Sequence, residues 1–280
     1  MVKNMLRIGI ILHSKRHDAL EYAARAVSYL NANQVHVCAE DEFAQELGVT
    51  PFSRTDQVDV IVSLGGDGTL LRGVQYAFRW EAALLGINMG RVGFLTEVEP
   101  WDIETALAAV INGSYEVDLR TVLHVDAGEQ HWHALNDVVL SRGGSARLTT
   151  INAWVDGELS SRYVADGVVV ATPTGSTGYS LSAGGPIVSP KVDCMVITPI
   201  CAHTLQHRPT VVHGGASIVL ELLPYDVQTA SLQVDGQSCM ELTSGMRAEI
   251  RKDQRAIRLI RLKPQNFFQL VREKLTEWTR

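Results

Sequence analysis

Through its first 115 or so residues the chain alternates strand-like apolar runs with stretches of helical spacing; beyond that point the helical spacing disappears. LRIGIIL (6–12) is an apolar run of strand length, and apolar residues within 18–30 fall at helical intervals. QVHVCA (34–39) alternates as a strand should, and VDVIVSL (58–64) is a β-branched run that stops at glycines. A helix is predicted to open near Thr69, ALLGIN (83–88) is a further strand, and 100–111 another helix. Parallel strands need long crossover connections, so strand–helix repetition predicts a mostly parallel, Rossmann-like α/β sheet covered on both faces.

From about 116 to 262 short alternating segments dominate, from TVLHVDAG and HWHALNDVVLS through TTINAWVDGELSSRYVAD, GVVVAT and MVITPI to MRAEIRK and AIRLIRL. Asp156-Gly157 and Asp235-Gly236 carry the signal of two-residue hairpin turns. Ten or so strands without helices predict an all-β, two-sheet sandwich. After Pro264, residues Phe268, Val271, Leu275 and Trp278 are spaced to share one helix face, which needs a surface to dock on, and the helix-covered first part is the natural one. The expected organisation is discontinuous: an α/β domain from 1–119 that regains 263–280, and an all-β domain over 120–262.

Composition narrows the function classes. With 280 residues and 46% hydrophobic content, the chain can build a core without disulfide or metal staples. A net charge of −6 argues against a protein that coats nucleic acid or a membrane surface. The uncharged segment 167–190 is broken by prolines, glycines and hydroxyls and is a poor membrane span. Cysteines 38, 194, 201 and 239 form no CxxC pair and read as free thiols of a reducing compartment. The apolar run IGIIL is too short for a signal-peptide core, so a cytoplasmic location is expected.

Two segments carry chemistry. LGGDGTLL (64–71) follows a buried-type strand and opens a helix, the place where open α/β sheets bind ligands. Glycines let the backbone approach a phosphate, and a helix N-terminus favours an anion. Gly65, Gly66, Gly68 and Thr69 are the phosphate-binding candidates, although a plain βα turn with Asp67 as helix cap is the bland alternative. A carboxylate at a phosphate turn is counterproductive unless it takes or orients a hydroxyl proton or helps hold a divalent ion, all roles in phosphoryl transfer to an alcohol. The second segment, ATPTGSTGYSLSAGGP (171–186), holds six Ser or Thr hydroxyls between Thr172 and Ser182. Buried hydroxyls need partners, so this composition suits a loop clasping a polar ligand, or else a solvated surface loop. It contains no GxSxG, which disfavours a hydrolase nucleophile.

Together with LNDVVL (135–140), GRVGFL (90–95) and VDGQ (234–237), these motifs resemble the NAD kinases over essentially the whole chain. GGDG alone is shared with phosphofructokinases and diacylglycerol-type lipid kinases; GGDG followed by the Asn-acidic pair and TPTGST-Y-SLSAGGP is far more specific. The resemblance implies phosphorylation of the 2′-hydroxyl of the adenosine ribose of NAD by ATP with Mg²⁺ or another divalent cation carried on its phosphates. No protein metal cage is expected. Asp67 takes the place of the family's proposed base, with Gly68 beside it and Arg72 in the same substrate-binding set. Asn136 and Asp137 match the pair that contacts ribose and adenine, with Asp where many members have Glu. Arg147, Asp166, Thr177, Gly178, Tyr179, Ser180, Leu181 and Ser182 match NAD-contacting positions, Gly178 standing where many members have Ala. Phe94 is expected near the site or as a buried anchor, Gln237 is a weaker match, and Val164 stands where some members carry a charge. The family also implies a homodimer or homotetramer. A lipid or sugar kinase sharing GGDG, or a non-catalytic pyridine-nucleotide sensor, are the alternatives; the Asn-Asp pair, SLSAGGP and an intact Asp67 weigh against them. The bland features are the cation run 247–263, read as a solvated strand face ahead of a phosphate-facing patch, and His131 and His133, which lack a third spaced ligand for zinc.

Overall fold

The computed structural model describes residues 5–13, 17–90, 93–143, 147–204, 206–224 and 229–277. The chain divides into two compact units, 1–119 with 257–280, and 120–256.

The first unit contains β1 (Arg7–Leu12), α1 (His17–Ala32), β2 (His36–Ala39), α2 (Asp41–Leu47), β3 (Thr50–Pro51), β4 (Val60–Gly65), α3 (Asp67–Trp80), β5 (Ala83–Asn88), α4 (Ile103–Asn112) and β6 (Glu116–Arg120). The second unit follows with β7 (Leu123–Ala127), β8 (Gln130–Ala134), β9 (Asp137–Ser141), β10 (Thr149–Val155), β11 (Glu158–Ala165), β12 (Gly167–Ala171), α5 (Tyr179–Ser182), β13 (Cys194–Ile200), β14 (Thr210–His213), β15 (Ile218–Leu222), β16 (Thr229–Val234), β17 (Gln237–Thr243) and β18 (Arg247–Lys252). The chain closes with β19 (Ile257–Arg261) and α6 (Phe267–Glu277).

The first sheet has the order β3-β2-β1-β4-β5-β19-β6, and β3 through β19 pair in parallel. Strand alternation divides its two faces. Ile8, Ile10, Val60, Val62, Leu85 and Ile87 pack with α1 and α4 in one core cluster. Ile11, Ile61 and Leu84 face α3 instead, lying 3.1–3.8 Å from where a Cβ on Gly73 would project. Because both faces are covered, most strand positions are apolar, with Ser63 of β4 and Asn88 of β5 as buried exceptions.

The second unit is two antiparallel six-stranded sheets, ordered β11-β10-β15-β18-β7-β8 and β14-β13-β12-β9-β16-β17. Their inward residues, among them Val125, Ile151, Tyr163, Val170, Ile197, Leu220, Leu232 and Ile250, form one core cluster. Asp156 and Gly157 (φ 51° and 83°) join β10 to β11, and Asp235 and Gly236 (φ 47° and 76°) join β16 to β17, both as two-residue turns with left-handed backbone.

Four expectations change. AIRLIRL belongs to the first unit, because β19 pairs in parallel with β5. HWHALNDVVLS is two strands in different sheets, β8 and β9, parting at Leu135-Asn136. The stretch 171–186 contains a 3₁₀ turn (Gly175–Thr177) and α5 rather than being all loop. On α6 the buried side chains are Leu270, Val271 and Lys274, while Phe268 (63%) and Leu275 (39%) are exposed. The helical period is right but the buried stripe is turned from the one expected; Trp278 lies outside the described residues. Among those residues no helix is long and apolar enough to cross a membrane, and all four cysteines are free.

Candidate active site

In the first sheet the chain moves outward one way from β1 and the other way from β4, so the strand order reverses between them. Open α/β sheets bind ligands at that switch point, beyond the strand carboxyl ends. There β4 ends in Gly65, Gly66 caps the helix with extended backbone (φ −98°, ψ −169°), and Asp67 is the first residue of α3. Gly65 has no room for a side chain, since a Cβ would lie 2.2 Å from Thr69 Oγ1. Gly66 and Gly68 differ: a Cβ on either meets nothing within 4 Å. Their lack of side chains keeps the approach to the helix N-terminus open, which is what an arriving phosphate requires.

Asp67 is not the helix cap. Its Oδ2 accepts the N–H of Phe94 at 2.7 Å, and its Oδ1 accepts those of Leu95 and Thr96 at 3.1 and 3.3 Å, with the Thr96 hydroxyl at 3.4 Å. The carboxylate thus pins the loop after β5 to the glycine turn. Phe94 enters the site through its main chain. Gly93 is the unforeseen partner, because a Cβ there would sit 1.9 Å from Asp67 Oδ1. The signal lay in the second glycine of GRVGFL; Arg91 and Val92 of that motif lie outside the described residues. Arg72 is committed elsewhere: Nε and Nη2 make a bidentate pair with Glu40 at 2.9 and 2.8 Å, and Nη2 also bonds the Leu12 carbonyl. That clasp ties α3 to the chain just beyond β2 and to the end of β1.

The second unit repeats the carboxylate device. Asp235 accepts the N–H groups of Leu135, Asn136 and Asp137 at 2.8, 2.7 and 3.2 Å. From sequence this residue is a turn former and a member of the VDGQ motif, with no sign of the amides it accepts. The three amides are those at which the chain leaves one sheet for the other, where ladder partners are missing. Gly175 lies flat on this corner, its Cβ position only 2.0 Å from the Asn136 carbonyl oxygen. A Cβ on Gly178 would lie 3.7 Å from Asp137 Oδ2 and 3.9 Å from Asn136 Nδ2, so the Asn-Asp pair and the 171–186 segment do come together. Burial, then the neighbouring Asp235 charge, pushes the Asp137 carboxyl up to about 7. Burial also raises Asp235 to about 6, against the lowering effect of its three amides.

Most of the hydroxyl-rich segment is buried. Thr172, Thr174, Ser176, Thr177 and Ser180 are all buried. Thr172 donates to the Leu135 carbonyl at 2.6 Å, Ser176 to that of Pro173 at 2.7 Å, and Thr177 to that of Thr174 at 3.2 Å. Arg120 donates to the Thr174 hydroxyl at 3.2 Å, and the Ser180 and Thr198 hydroxyls are 2.8 Å apart. These hydroxyls tie the segment to itself and to Arg120, Leu135 and Thr198. Ser182 is the exposed one, beside part-exposed Leu181 and the Tyr179 ring (44% exposed). Partial burial raises the Tyr179 phenol, helped by the charges of Cys201, Asp166 and Asp137. Asp166 is paired with Arg142 at 2.7 Å. Val164 lies on β11 opposite Thr150, Gln237 opens β17 and is exposed, and Arg147 is exposed before β10. Within the cation run, Arg247, Arg251 and Lys252 pair with Glu221, Asp126 and Asp193, which fits a surface neutralised by its own carboxylates, whereas Arg261 is buried against Glu97.

A glycine turn at the switch point of a parallel sheet, open above a helix N-terminus and carrying a carboxylate, defines a nucleotide-binding α/β protein equipped for group transfer. Residues 8–115 match the ATP-NAD kinase N-terminal domain and residues 135–262 the ATP-NAD kinase C-terminal domain. Curated NAD kinases from Methanothermobacter thermautotrophicus and Geotalea daltonii are 40% and 38% identical to it, covering 98% and 95% of this chain and 97% of each relative. Two solved structures at 27% identity share the fold: yeast NADH kinase complexed with NADH (TM-score 0.83, 94% of this chain and 85% of that one) and an Archaeoglobus fulgidus NAD kinase in complex with ATP (TM-score 0.76, 97% and 99%). The chain belongs to the NAD kinase family.

Proposed function

We propose that in this NAD kinase, which transfers the terminal phosphoryl group of ATP to the 2′-hydroxyl of the adenosine ribose of NAD to give NADP and ADP, Asp67 orients that hydroxyl and takes its proton. The supporting observation is the asymmetry of its hydrogen bonds. A carboxylate offers about four acceptor positions. Oδ1 is filled by two amides and a hydroxyl, whereas Oδ2 takes a single amide and keeps a position for the ribose, beside two glycines with open space.

The proposed phosphate-binding groups are the main chain of Gly65, Gly66, Gly68 and Thr69 and the α3 N-terminus. Asn136 and Asp137 are the proposed polar partners for ribose and adenine, with the exposed Tyr179 ring for stacking and Ser182 as an added hydroxyl. Arg147, Asp166 and Gln237 complete the proposed NAD-binding set. The 2′-oxygen attacks the terminal phosphorus in line, its proton passes to Asp67, and ADP leaves. Because the transition state is loose, positioning and charge neutralisation count for more than base strength. The divalent ion, Mg²⁺ or a substitute, arrives on the ATP phosphates and neutralises their charge. Asp67 Oδ1 is already filled, and among the described residues the one His, Cys, Asp or Glu cluster able to share an ion does not include Asp67. The family resemblance also supports a homodimer or homotetramer, a subunit count that light scattering measures, and the free-thiol pattern supports a cytoplasmic location.

The test couples NADP formed from ATP, Mg²⁺ and NAD to an NADP-specific dehydrogenase. Asp67→Asn is expected to lower kcat by about 10²–10⁴-fold with a much smaller change in KM for NAD. An unchanged kcat in the folded variant removes Asp67 from the chemistry.

A further inference from the structure

The outer face of the β7–β8 hairpin gathers side chains that phosphoryl transfer does not use. His124 on β7 and His133 on β8 stand directly opposite each other in the antiparallel register. β18 pairs with β7 so that Lys252 faces Leu123, which brings the next residue, Asp253, to the same end. The Asp253 N–H donates to the Val122 carbonyl at 2.8 Å and holds it there.

The three donors form a tight triangle. His124 Nδ1 is 3.2 Å from His133 Nε2, and Asp253 Oδ2 is 3.6 Å from the first and 3.4 Å from the second. Nitrogen and oxygen ligands at 2.0–2.2 Å from a tetrahedral zinc ion lie about 3.3–3.6 Å apart, so each edge agrees to about 0.1 Å. A cation could enter with almost no movement of rings or carboxylate.

On His124 and Asp253 the atoms turned away from the triangle are held as well. His124 Nε2 is 2.9 Å from Asp126 Oδ1, and Asp126 Oδ2 accepts Arg251 Nη1 at 2.7 Å. With its Nε2–H donated to Asp126, His124 presents the Nδ1 lone pair to the triangle, the carboxylate–imidazole arrangement that orients metal-binding histidines. Asp253 Oδ1 accepts the Arg255 N–H at 2.8 Å, leaving Oδ2 to point inward. The side chains are 18%, 13% and 12% exposed for His124, His133 and Asp253, sheltered yet reachable.

We propose that His124, His133 and Asp253 bind a divalent transition-metal cation of the zinc class, with water completing a four-coordinate shell. Two imidazoles and one carboxylate suit such an ion and disfavour Mg²⁺, which prefers oxygen ligands in octahedral array. The bound ion cross-links three strands at the sheet edge that β8 forms, where one ladder of hydrogen bonds is missing. The proposal is independent of the nucleotide chemistry, because none of its residues is assigned there.

The experiment uses the untagged full chain, stripped with chelator and titrated with Co²⁺ and then Zn²⁺ in excess Mg²⁺. One Co²⁺ per chain is expected, with the strong visible absorption of a four-coordinate site, lost on adding stoichiometric Zn²⁺. Zn²⁺ is expected to raise the melting temperature where Mg²⁺ does not. Asp126→Asn should weaken Zn²⁺ binding by about 10–100-fold. Asp253→Asn, and separately His124→Ala with His133→Ala, should abolish the Co²⁺ absorption while NADP formation persists as proof of folding. Substoichiometric uptake by active wild-type protein overturns the proposal, as does a Co²⁺ spectrum that survives in either variant.

Discussion

Asp67 in the first unit and Asp235 in the second each hold three consecutive main-chain N–H groups on one carboxylate, those of residues 94–96 and 135–137. In both places a chain segment leaves regular structure and its amides need an acceptor. The surroundings then divide the roles. Asp67 heads a helix between glycines whose Cβ directions are open, and its Oδ2 takes a single amide. Asp235 sits in a left-handed turn (φ 47°) against buried Asp137, where loss of hydration raises both carboxyls. Asp67 is the latch proposed to act on a ligand; Asp235 shapes the backbone at Asn136.

That contrast can be broken in order of effect. The largest is the Asp67→Asn loss of about 10²–10⁴ in kcat, a barrier increase of about 3–5 kcal/mol. Asp235→Ala should instead cost stability, about 3–5 kcal/mol in chemical denaturation, because three amides lose a charged acceptor together. If Asp235→Ala left stability intact and reduced only kcat, the two latches would be functionally alike and the distinction would fail.

The glycines sharpen the comparison. Gly175→Ala drives a Cβ into the Asn136 main chain and should cost about 1–3 kcal/mol while raising KM for NAD. Gly93→Ala displaces the end of the Asp67 side chain, so its signature is a fall in kcat with a smaller shift in melting temperature. Next comes pH. Asp137 and Asp235 have carboxyls raised to about 7 and about 6, so the folded state prefers them protonated. Their contribution is fully present below about pH 4, the unfolded value, and is lost as pH rises through 6 to 7. Asp137→Asn is therefore expected to raise the melting temperature at pH 8 and to leave it nearly unchanged at pH 4. The smallest effect belongs to Gly178→Ala, whose Cβ meets the Gly175 carbonyl oxygen at 3.3 Å and the Asp137 carboxylate at 3.7 Å, a change of under about 1 kcal/mol with NADP formation retained.

Much of this was legible from local sequence. VDVIVSLGGDG announces a buried strand followed by an open turn, because apolar runs and glycines act over a few residues. Asp156-Gly157 and Asp235-Gly236 specify left-handed turns for the same reason. The fate of the 172–182 hydroxyls was not legible, since burying them depends on acceptors such as Leu135 and Thr198, 37 and 18 residues distant. Nor was the Arg72–Glu40 clasp, whose partners are 32 residues apart.

The sequence by itself determined the element types, the hairpin turns, the family motifs and the carboxylate at the phosphate turn, all consequences of short-range periodicity and backbone freedom. Only the tertiary structure decided which polar groups are spent on the protein and which stay available. It paired β19 with β5, turned α6 on its axis, gave Asp235 the amides of 135–137 and brought Asp253 to His124 and His133. Each of those outcomes joins residues far apart in the chain. The free energy of a hydrogen bond or ligand triangle depends on distances that no linear spacing encodes.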